Sequence, residues 1–261
     1  MNKIKIKNQI MKKPKLSTIL SQNTQKLKSQ FNNNATIRNK LQILPQSLSS
    51  KLPPLSMKKK GSVLVPLIDK GIRRIKNDDH DEIHHHNPLD RLSILFTKRS
   101  SNLKNHANEI SFPGGHYDPD MDGNCLIKTA IRETHEELMP TSDGDTLITL
   151  DEFNQSISVI GQGETIPSAN LVPITPYYAY FRCEISNTEG VFPGNKDEVS
   201  HVFTVSVSEL LSIEKTMTLQ RLKMEGPVYP TKNGTVWGLT AIILRPFLHE
   251  VLMPVFSSNI R

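Results

Sequence analysis

Asp and Glu are absent from residues 1–68 of this 261-residue chain, which nonetheless hold fourteen of its 32 Lys and Arg. Residues 69–261 then carry 18 basic against 26 acidic side chains, a net charge near −8 beneath the chain's overall +6. The positive balance belongs to the N-terminal stretch, so it is no nucleic-acid footprint of the remainder. That stretch is rich in Ser, Asn and Gln, with Pro45, Pro53 and Pro54 near its end. Such a composition buries little apolar surface, and residues 1–60 are expected to form a disordered basic leader. Cysteine is scarce too: Cys125 and Cys183 offer no disulfide framework, suit a reducing compartment and read as packing residues. No uninterrupted apolar run approaches the ~20 residues that span a bilayer, because Arg245, Pro246, His249 and Glu250 break up the C-terminal one. No internal repeat is present.

What remains, about 190 residues, suffices for one substantial core. We expect one domain over 61–255 and a short tail over 256–261. Ser62–Ile68 and Arg91–Lys98 read as strands, Glu109–Phe112 as a short one, and Cys125–Met139 as a helix. Further strands are expected at Ile157–Ile160, at Leu171–Ile185 with interruptions at Pro173 and Pro176, and at Val202–Val207; Trp237–Leu252 reads as a closing helix kinked at Pro246. This mixture predicts an α/β layered domain. Residues 69–90 form a polar insertion between the first two strands, and its His80, His84, His85 and His86 read as a flexible loop rather than a metal site.

The chemistry concentrates in Ser111–Glu137, SFPGGHYDPDMDGNCLIKTAIRETHEE. At about 100° per residue, Ile127, Ala130, Ile131, Thr134 and Leu138 share a stripe, and Glu133, Glu136 and Glu137 cluster on the side turned away from it. One face can pack on a sheet while the other points into a cleft. Like charges at i, i+3 and i+4 weaken a helix by roughly 0.2–0.5 kcal/mol per pair, so the cluster is easier to explain with a cation over it; a solvated surface helix is the other reading, and taken alone the commoner one for such a charged run. Arg132 lies four residues before Glu136 and can hold that carboxylate. Gly114 and Gly115, just upstream, permit a close backbone approach to phosphate oxygens.

This combination resembles the Nudix hydrolase box, G-x5-E-x7-R-E-U-x-E-E-x-G-U with U aliphatic, at Gly115, Arg132, Glu133, Glu136 and Glu137. Sixteen residues separate Gly115 from Arg132, where the motif has thirteen. The box glutamate therefore lacks a fixed counterpart: counting back from Arg132 offers Asn124, and Asp120 and Asp122 are nearby acids. Thr134 replaces an aliphatic residue, Met139 replaces the glycine, and Pro140 supplies the helix stop. The resemblance implies a Nudix α/β/α sandwich with a mixed sheet. It also implies Mg2+ or Mn2+ held by Glu133, Glu136 and Glu137, with Arg132 orienting a ligand carboxylate.

Upstream, Leu95–Gly115 resembles the coenzyme A diphosphatase pattern within that family, L-L-T-x-R-S-x-x-L-x-x-H-x-G-x-x-x-F-P-G-G, with Asn108 at the usual glycine. Asparagine tolerates the left-handed region, so the same turn remains feasible. The resemblance implies Lys98, Arg99, Ser100, His106, Gly114 and Gly115 as substrate-binding residues, with the basic ones suited to the additional 3′-phosphate of coenzyme A. Asn195-Lys196-Asp197-Glu198-Val199 resembles the family's N-x-D-E-V, making Glu198 either a fourth carboxylate of the site or a strand-entry acid facing water. Trp237-Gly238-Leu239-Thr240-Ala241 resembles the opening of the family's last helix, with Trp237 expected in the core and substrate contact as its second reading. The implied reaction is hydrolysis of coenzyme A or an acyl derivative to adenosine 3′,5′-bisphosphate and 4′-phosphopantetheine or its acyl form. The alternatives are a diphosphatase of ADP-ribose, NADH or an oxidised nucleotide, and a non-catalytic nucleotide- or RNA-binding module. The acid-free leader resembles an organelle address, peroxisomal or mitochondrial, with import machinery as its partner; a cytoplasmic protein is the other reading.

Overall fold

The computed structural model describes residues 59–69, 88–139, 149–181, 192–219 and 224–257. The leader, apart from Lys59 and Lys60, lies outside the described residues, as do the His80–His86 cluster and Cys183.

Strand β1 (Gly61–Asp69) is almost wholly buried along its length, as is β2 (Leu92–Arg99) up to Thr97. A strand covered on both faces needs a continuous apolar run rather than an alternating one, and VLVPLI and LSILF supply it. These two strands centre an eight-stranded mixed sheet of order β3 (Ile110–Ser111), β2, β1, β7 (Pro173–Phe181), β5 (Ile157–Gln162). β4 (Gly114–His116) pairs with β1, β6 (Ile166–Pro167) with β7, and β8 (Val199–Ser206) with β2. The β1–β7 pair is parallel and β1–β2 antiparallel. A second, antiparallel sheet joins β9 (Lys215–Leu219), β10 (Met224–Thr231) and β11 (Gly234–Val236).

Helices cover both faces. Short α1 (Pro88–Arg91) enters β2, and Arg91 Nη2 reaches Asp69 at 2.6 Å across the polar insertion. On one face α2 (Pro119–Asp122), α3 (Leu126–Leu138) and α4 (Leu150–Gln155) enclose Leu64, Ile68, Leu95, Ala130, Ile131, Leu138 and Phe153. On the other, α5 (Val207–Ile213) and a closing helix bury Val65, Leu67, Ile94, Phe96, Leu244, Phe247 and Val251. The result is a mixed sheet between flanking helices, the layering expected from the sequence.

Three differences have physical causes. Pro176 does not interrupt β7. Its carbonyl accepts from Gly163 N at 2.8 Å, so its own nitrogen faces the same side, where the partner passes from Gln162 of β5 to Ile166 of β6. The missing N–H leaves no ladder bond unmade there. The closing helix runs beyond Leu252: α6 (Gly238–Pro246) passes into a π-helical stretch (Phe247–Leu252) and then α7 (Met253–Ser257), which buries Phe256. Residue 256 thus belongs to the core rather than to a tail. Gly238–Phe256 is long and apolar enough, by length and composition, to cross a membrane, but half of it is buried inside this fold. Finally, β9 has no apolar signal because Lys215, Thr216, Met217 and Thr218 are all exposed.

One polar clasp fastens the closing helix. Glu214 accepts from Arg245 Nε at 2.8 Å, His249 Nε2 at 2.6 Å and the Tyr229 hydroxyl at 3.3 Å. Burial pushes the Glu214 carboxyl up, but hydrogen bonds from His249 and Arg245 outweigh it and hold it below the usual glutamate range. A lowered folded-state value means stability that is present above the ordinary glutamate pKa and lost as pH falls through the lowered one. Glu214→Gln is expected to cost about 1 kcal/mol at pH 7, read as a lower Tm, with a smaller difference from the parent protein at pH 3.5.

Candidate active site

Helix α3 begins at Cys125, an N-cap that makes no side-chain hydrogen bond, and ends at Met139, whose N–H returns to His135 O at 2.8 Å. Ala130, Ile131, Thr134 and Leu138 are buried and Ile127 is partly so, as the stripe requires. Thr134 is tolerated among aliphatic residues because its hydroxyl donates to Ala130 O at 2.6 Å.

Arg132 is buried and meets acids on three sides. Its Nε and Nη2 donate to Asp122 Oδ1 and Oδ2 at 2.9 and 3.0 Å, and its Nη1 reaches Glu133 at 3.0 Å and Glu136 at 3.3 Å. Nη2 also donates to His116 O at 3.2 Å, tying the helix to β4. Asp122 accepts further from Thr129 Oγ1 at 2.8 Å and Asp118 N at 2.9 Å. Burial pushes the Asp122 carboxyl up, but these bonds prevail and hold it at about 2. Asp122, not Asn124, is therefore the acidic counterpart of the helix arginine. Asn124 instead sits at φ 56° and accepts from the Tyr117 hydroxyl at 3.0 Å. Counting could not find Asp122, because the extra loop length is taken up by the helical turn α2. Its signal is Asp118-Pro119: Asp118 caps Asp120 N at 2.9 Å, and Pro119 occupies the first helical position.

The three helix glutamates have different surroundings. Glu136 is exposed beyond its contact with Arg132. Burial raises the Glu133 carboxyl, with Arg132 opposing. Glu133 lies against β4, where a Cβ on Gly115 would meet its carboxylate and displace it. Gly114, at φ 147° and paired with Val63, would strike the backbone of Ser62 if it carried a side chain. Glu137 is 4% exposed and burial pushes its carboxyl up to about 8, with Arg99 opposing and Glu198 and Glu133 adding to the rise. The Gly114 N–H donates to it, so this amide serves a carboxylate rather than standing free. Glu137 Oε2 and Arg99 Nε are buried without hydrogen-bond partners. Glu198 is brought to this group by a turn: Asn195 N donates to Glu137 O at 2.8 Å and Ser100 N to Glu198 O at 2.8 Å.

A divalent cation fits this donor set. The Glu137 carboxylate has an orphaned buried oxygen, and its like-charged neighbours Glu133 and Glu198 raise the cost of ionising it. Among the described residues, no group of three or more His, Cys, Asp or Glu is already drawn together around one point.

The basic set of β2 and its loop divides. Arg99 faces Glu137, while Lys98 Nζ donates to Asn233 O at 3.4 Å on the side of the closing helix. Ser100 is buried and receives Asn102 N at 3.4 Å. His106 pairs with Glu109 at 2.9 Å near the surface. His106 and Asn108 both take left-handed φ, 57° and 62°, so Asn108 does stand in for glycine. Trp237 is 44% exposed at the N-cap of α6, not in the core. Val236, the residue before it, fills the core position.

A mixed sheet flanked by helices thus carries a buried arginine that orders an acidic helix beside a glycine pair. No family model matches the chain. The uncharacterized Nudix hydrolase NudL of Yersinia pestis (strain Pestoides F) is 32% identical over 165 residues, covering 61% of this chain and 72% of that protein. The same figures hold for NudL of Yersinia pseudotuberculosis serotype O:1b. Among solved structures, a MutT/nudix family protein from Enterococcus faecalis aligns at 14% identity over 86% of this chain and 73% of its own, with a TM-score of 0.38. A C. elegans Ap4A hydrolase aligns at 16% identity over 59% and 85%, with a TM-score of 0.37. On the sequence match, this chain belongs to the Nudix hydrolase family. Nudix hydrolases cleave the diphosphate linkage of nucleoside derivatives and generally use a divalent metal.

The two buried acids have opposite consequences for stability. Asp122→Asn leaves Arg132 short of a charged partner and is expected to cost about 3 kcal/mol in denaturant unfolding. Glu137 has a raised folded-state pKa, so between about 4.5 and 8 the folded chain holds a proton that the unfolded chain has released, and stability falls as pH rises through that range. Glu137→Gln should accordingly raise Tm at pH 8.5 in EDTA while lowering turnover; an unchanged or lower Tm would contradict that burial cost.

Proposed function

We propose that this Nudix hydrolase cleaves the diphosphate bond of coenzyme A or an acyl derivative, releasing adenosine 3′,5′-bisphosphate and 4′-phosphopantetheine or its acyl form. The observation that carries the reading is the run Leu95–Gly115, whose ordered matches lead directly into the acidic helix. The broader reading, hydrolysis of a nucleoside diphosphate derivative such as ADP-ribose or NADH, has the wider support, because family membership alone implies it.

In the proposed reaction Glu133, Glu136, Glu137 and Glu198 would hold Mg2+ or Mn2+. Such a cation would supply charge neutralisation of the diphosphate and a more acidic water. The chain's own residues then have separable tasks. Arg132, fixed by Asp122, holds Glu133 and Glu136 in set rotamers. Arg99 stands beside Glu137 and offers positive charge to a phosphate oxygen. Gly115 leaves the space that Glu133 occupies, and Gly114 holds Glu137 through its N–H. Ser100 and His106 shape the loop that closes over this end of β2.

The test is product analysis with purified protein over coenzyme A, 3′-dephospho-coenzyme A, ADP-ribose, NADH and capped RNA, with added Mg2+ or Mn2+. We expect adenosine 3′,5′-bisphosphate from coenzyme A as the fastest reaction, abolished by EDTA and reduced by orders of magnitude in Glu136→Gln. Faster hydrolysis of ADP-ribose or NADH would favour the broader reading, and binding without hydrolysis would favour a non-catalytic module. We further propose that the acid-free residues 1–60 are an organelle address with no part in the chemistry. A chain beginning at Met57 should keep full kcat/KM and Tm but lose import; a tenfold fall in kcat/KM would show instead that the leader packs on the domain.

A further inference from the structure

We propose that Lys98, His201 and Asn233 form an anion subsite, on the sheet face opposite the acidic helix, that takes a phosphomonoester of the substrate. The inference rests on the reading of the substrate as a nucleoside diphosphate derivative and adds which residues hold a second phosphate group. Along β2, Leu95 packs with the acidic helix, whereas Ile94 and Phe96 pack with the closing helix. Lys98 continues the second series by strand alternation. Its ammonium reaches the Asn233 carbonyl at 3.4 Å, a long contact that leaves other donor positions open, and it makes no ion pair among the described residues.

His201 is the cross-strand partner of Lys98 on β8. Directly opposed residues in an antiparallel pair bring their side chains within reach on one face. The His201 ring stacks on Phe203, centroids 5.6 Å apart and planes 13° from parallel, and Phe203 belongs to the closing-helix core. That contact fixes His201 on the same face as Lys98. Asn233 supplies the third element: its side-chain Nδ2 is buried with no hydrogen-bond partner, in the turn between β10 and β11 that receives Lys98.

An ammonium with open donor positions and an orphaned amide donor, set beside an imidazole, suit an acceptor-rich anion. A phosphomonoester answers that need better than a carboxylate, having three terminal oxygens and up to two charges. The adjacency of Lys98 and Arg99 at the end of β2 gives the subsite its relation to the chemistry. Strand alternation turns these consecutive basic residues to opposite faces, so the end of β2 is straddled by positive charge. A ligand whose diphosphate lies by Arg99 and Glu137 can carry a separate monoester round the strand end to Lys98.

Calorimetric titration of the full chain with adenosine 3′,5′-bisphosphate and with AMP tests this without requiring turnover. The parent should bind the bisphosphate at least tenfold more tightly than AMP, and Lys98→Gln and His201→Gln should each reduce that preference to threefold or less, with unchanged circular dichroism. With coenzyme A against its 3′-dephospho form, the same variants should lose discrimination in KM, with kcat within twofold of the parent. Equal affinity of the parent for the two nucleotides, or a preference that survives both substitutions, would overturn the subsite. A parent that leaves coenzyme A intact yet keeps the bisphosphate preference, lost in the variants, would sustain the subsite and refute coenzyme A as substrate. A parent that hydrolyses coenzyme A and its dephospho form equally, with no binding preference, would do the reverse.

Discussion

A buried guanidinium needs acids around it, and Arg132 organises the site by collecting them. Asp122 gives it a two-point contact from the helical turn before α3, Glu133 and Glu136 meet it from its own helix, and His116 O meets it from β4. Between them these contacts reach the preceding turn, the helix itself and β4, so one side chain sets how helix, turn and strand lie together. Removing water from such a group is costly unless the pairing is nearly complete. That requirement explains why Asp122 is itself so fully satisfied, by Thr129 and the Asp118 amide as well as by Arg132.

The glycine pair follows from the same arrangement. Because α3 is drawn against β4, Glu133 lands where a side chain on residue 115 would be, and β1 lies where one on residue 114 would be. Gly114 is therefore required by the protein's own packing before any phosphate arrives, and Gly115 lets the Glu133 carboxylate stay where Arg132 holds it. Glu137 is the point at which that packing conflicts with charge. It is buried with one oxygen unpartnered, opposed by Glu133 and Glu198 and relieved by Arg99 and the Gly114 amide. Function is the usual reason for such local conflict in an otherwise consistent fold.

The parts of this molecule legible in its sequence are those governed by short-range periodicity. The α3 stripe, the two buried central strands and the left-handed tolerance of Asn108 each depend on one residue and its near neighbours. Asp122 was harder, since its role depends on how an Asp-Pro turn absorbs the additional residues between Gly115 and Arg132. Trp237 was misread because a large aromatic residue is usually buried, while here Val236 has the inward position and Trp237 begins the helix. β9 was hidden because an edge strand with every described side chain in water has no apolar pattern to detect. The family match reaches the fold and the class of chemistry.

Strand β2 separates basic residues that are adjacent in the sequence. Adjacent residues in a strand point to opposite faces, so Lys98 and Arg99 could share a ligand only at an irregularity or across the strand end. The ladder does break between them, and the hydroxyl of Ser200 spans the break by donating to the carbonyls of both. That bridge holds the strand end in one conformation while leaving both side chains committed elsewhere, Arg99 to Glu137 and Lys98 to the β10–β11 turn. Charge that looks pooled in the sequence is thus partitioned by the pleat. A substrate with a single diphosphate has use for only the Arg99 side, whereas one with a further phosphate has use for both.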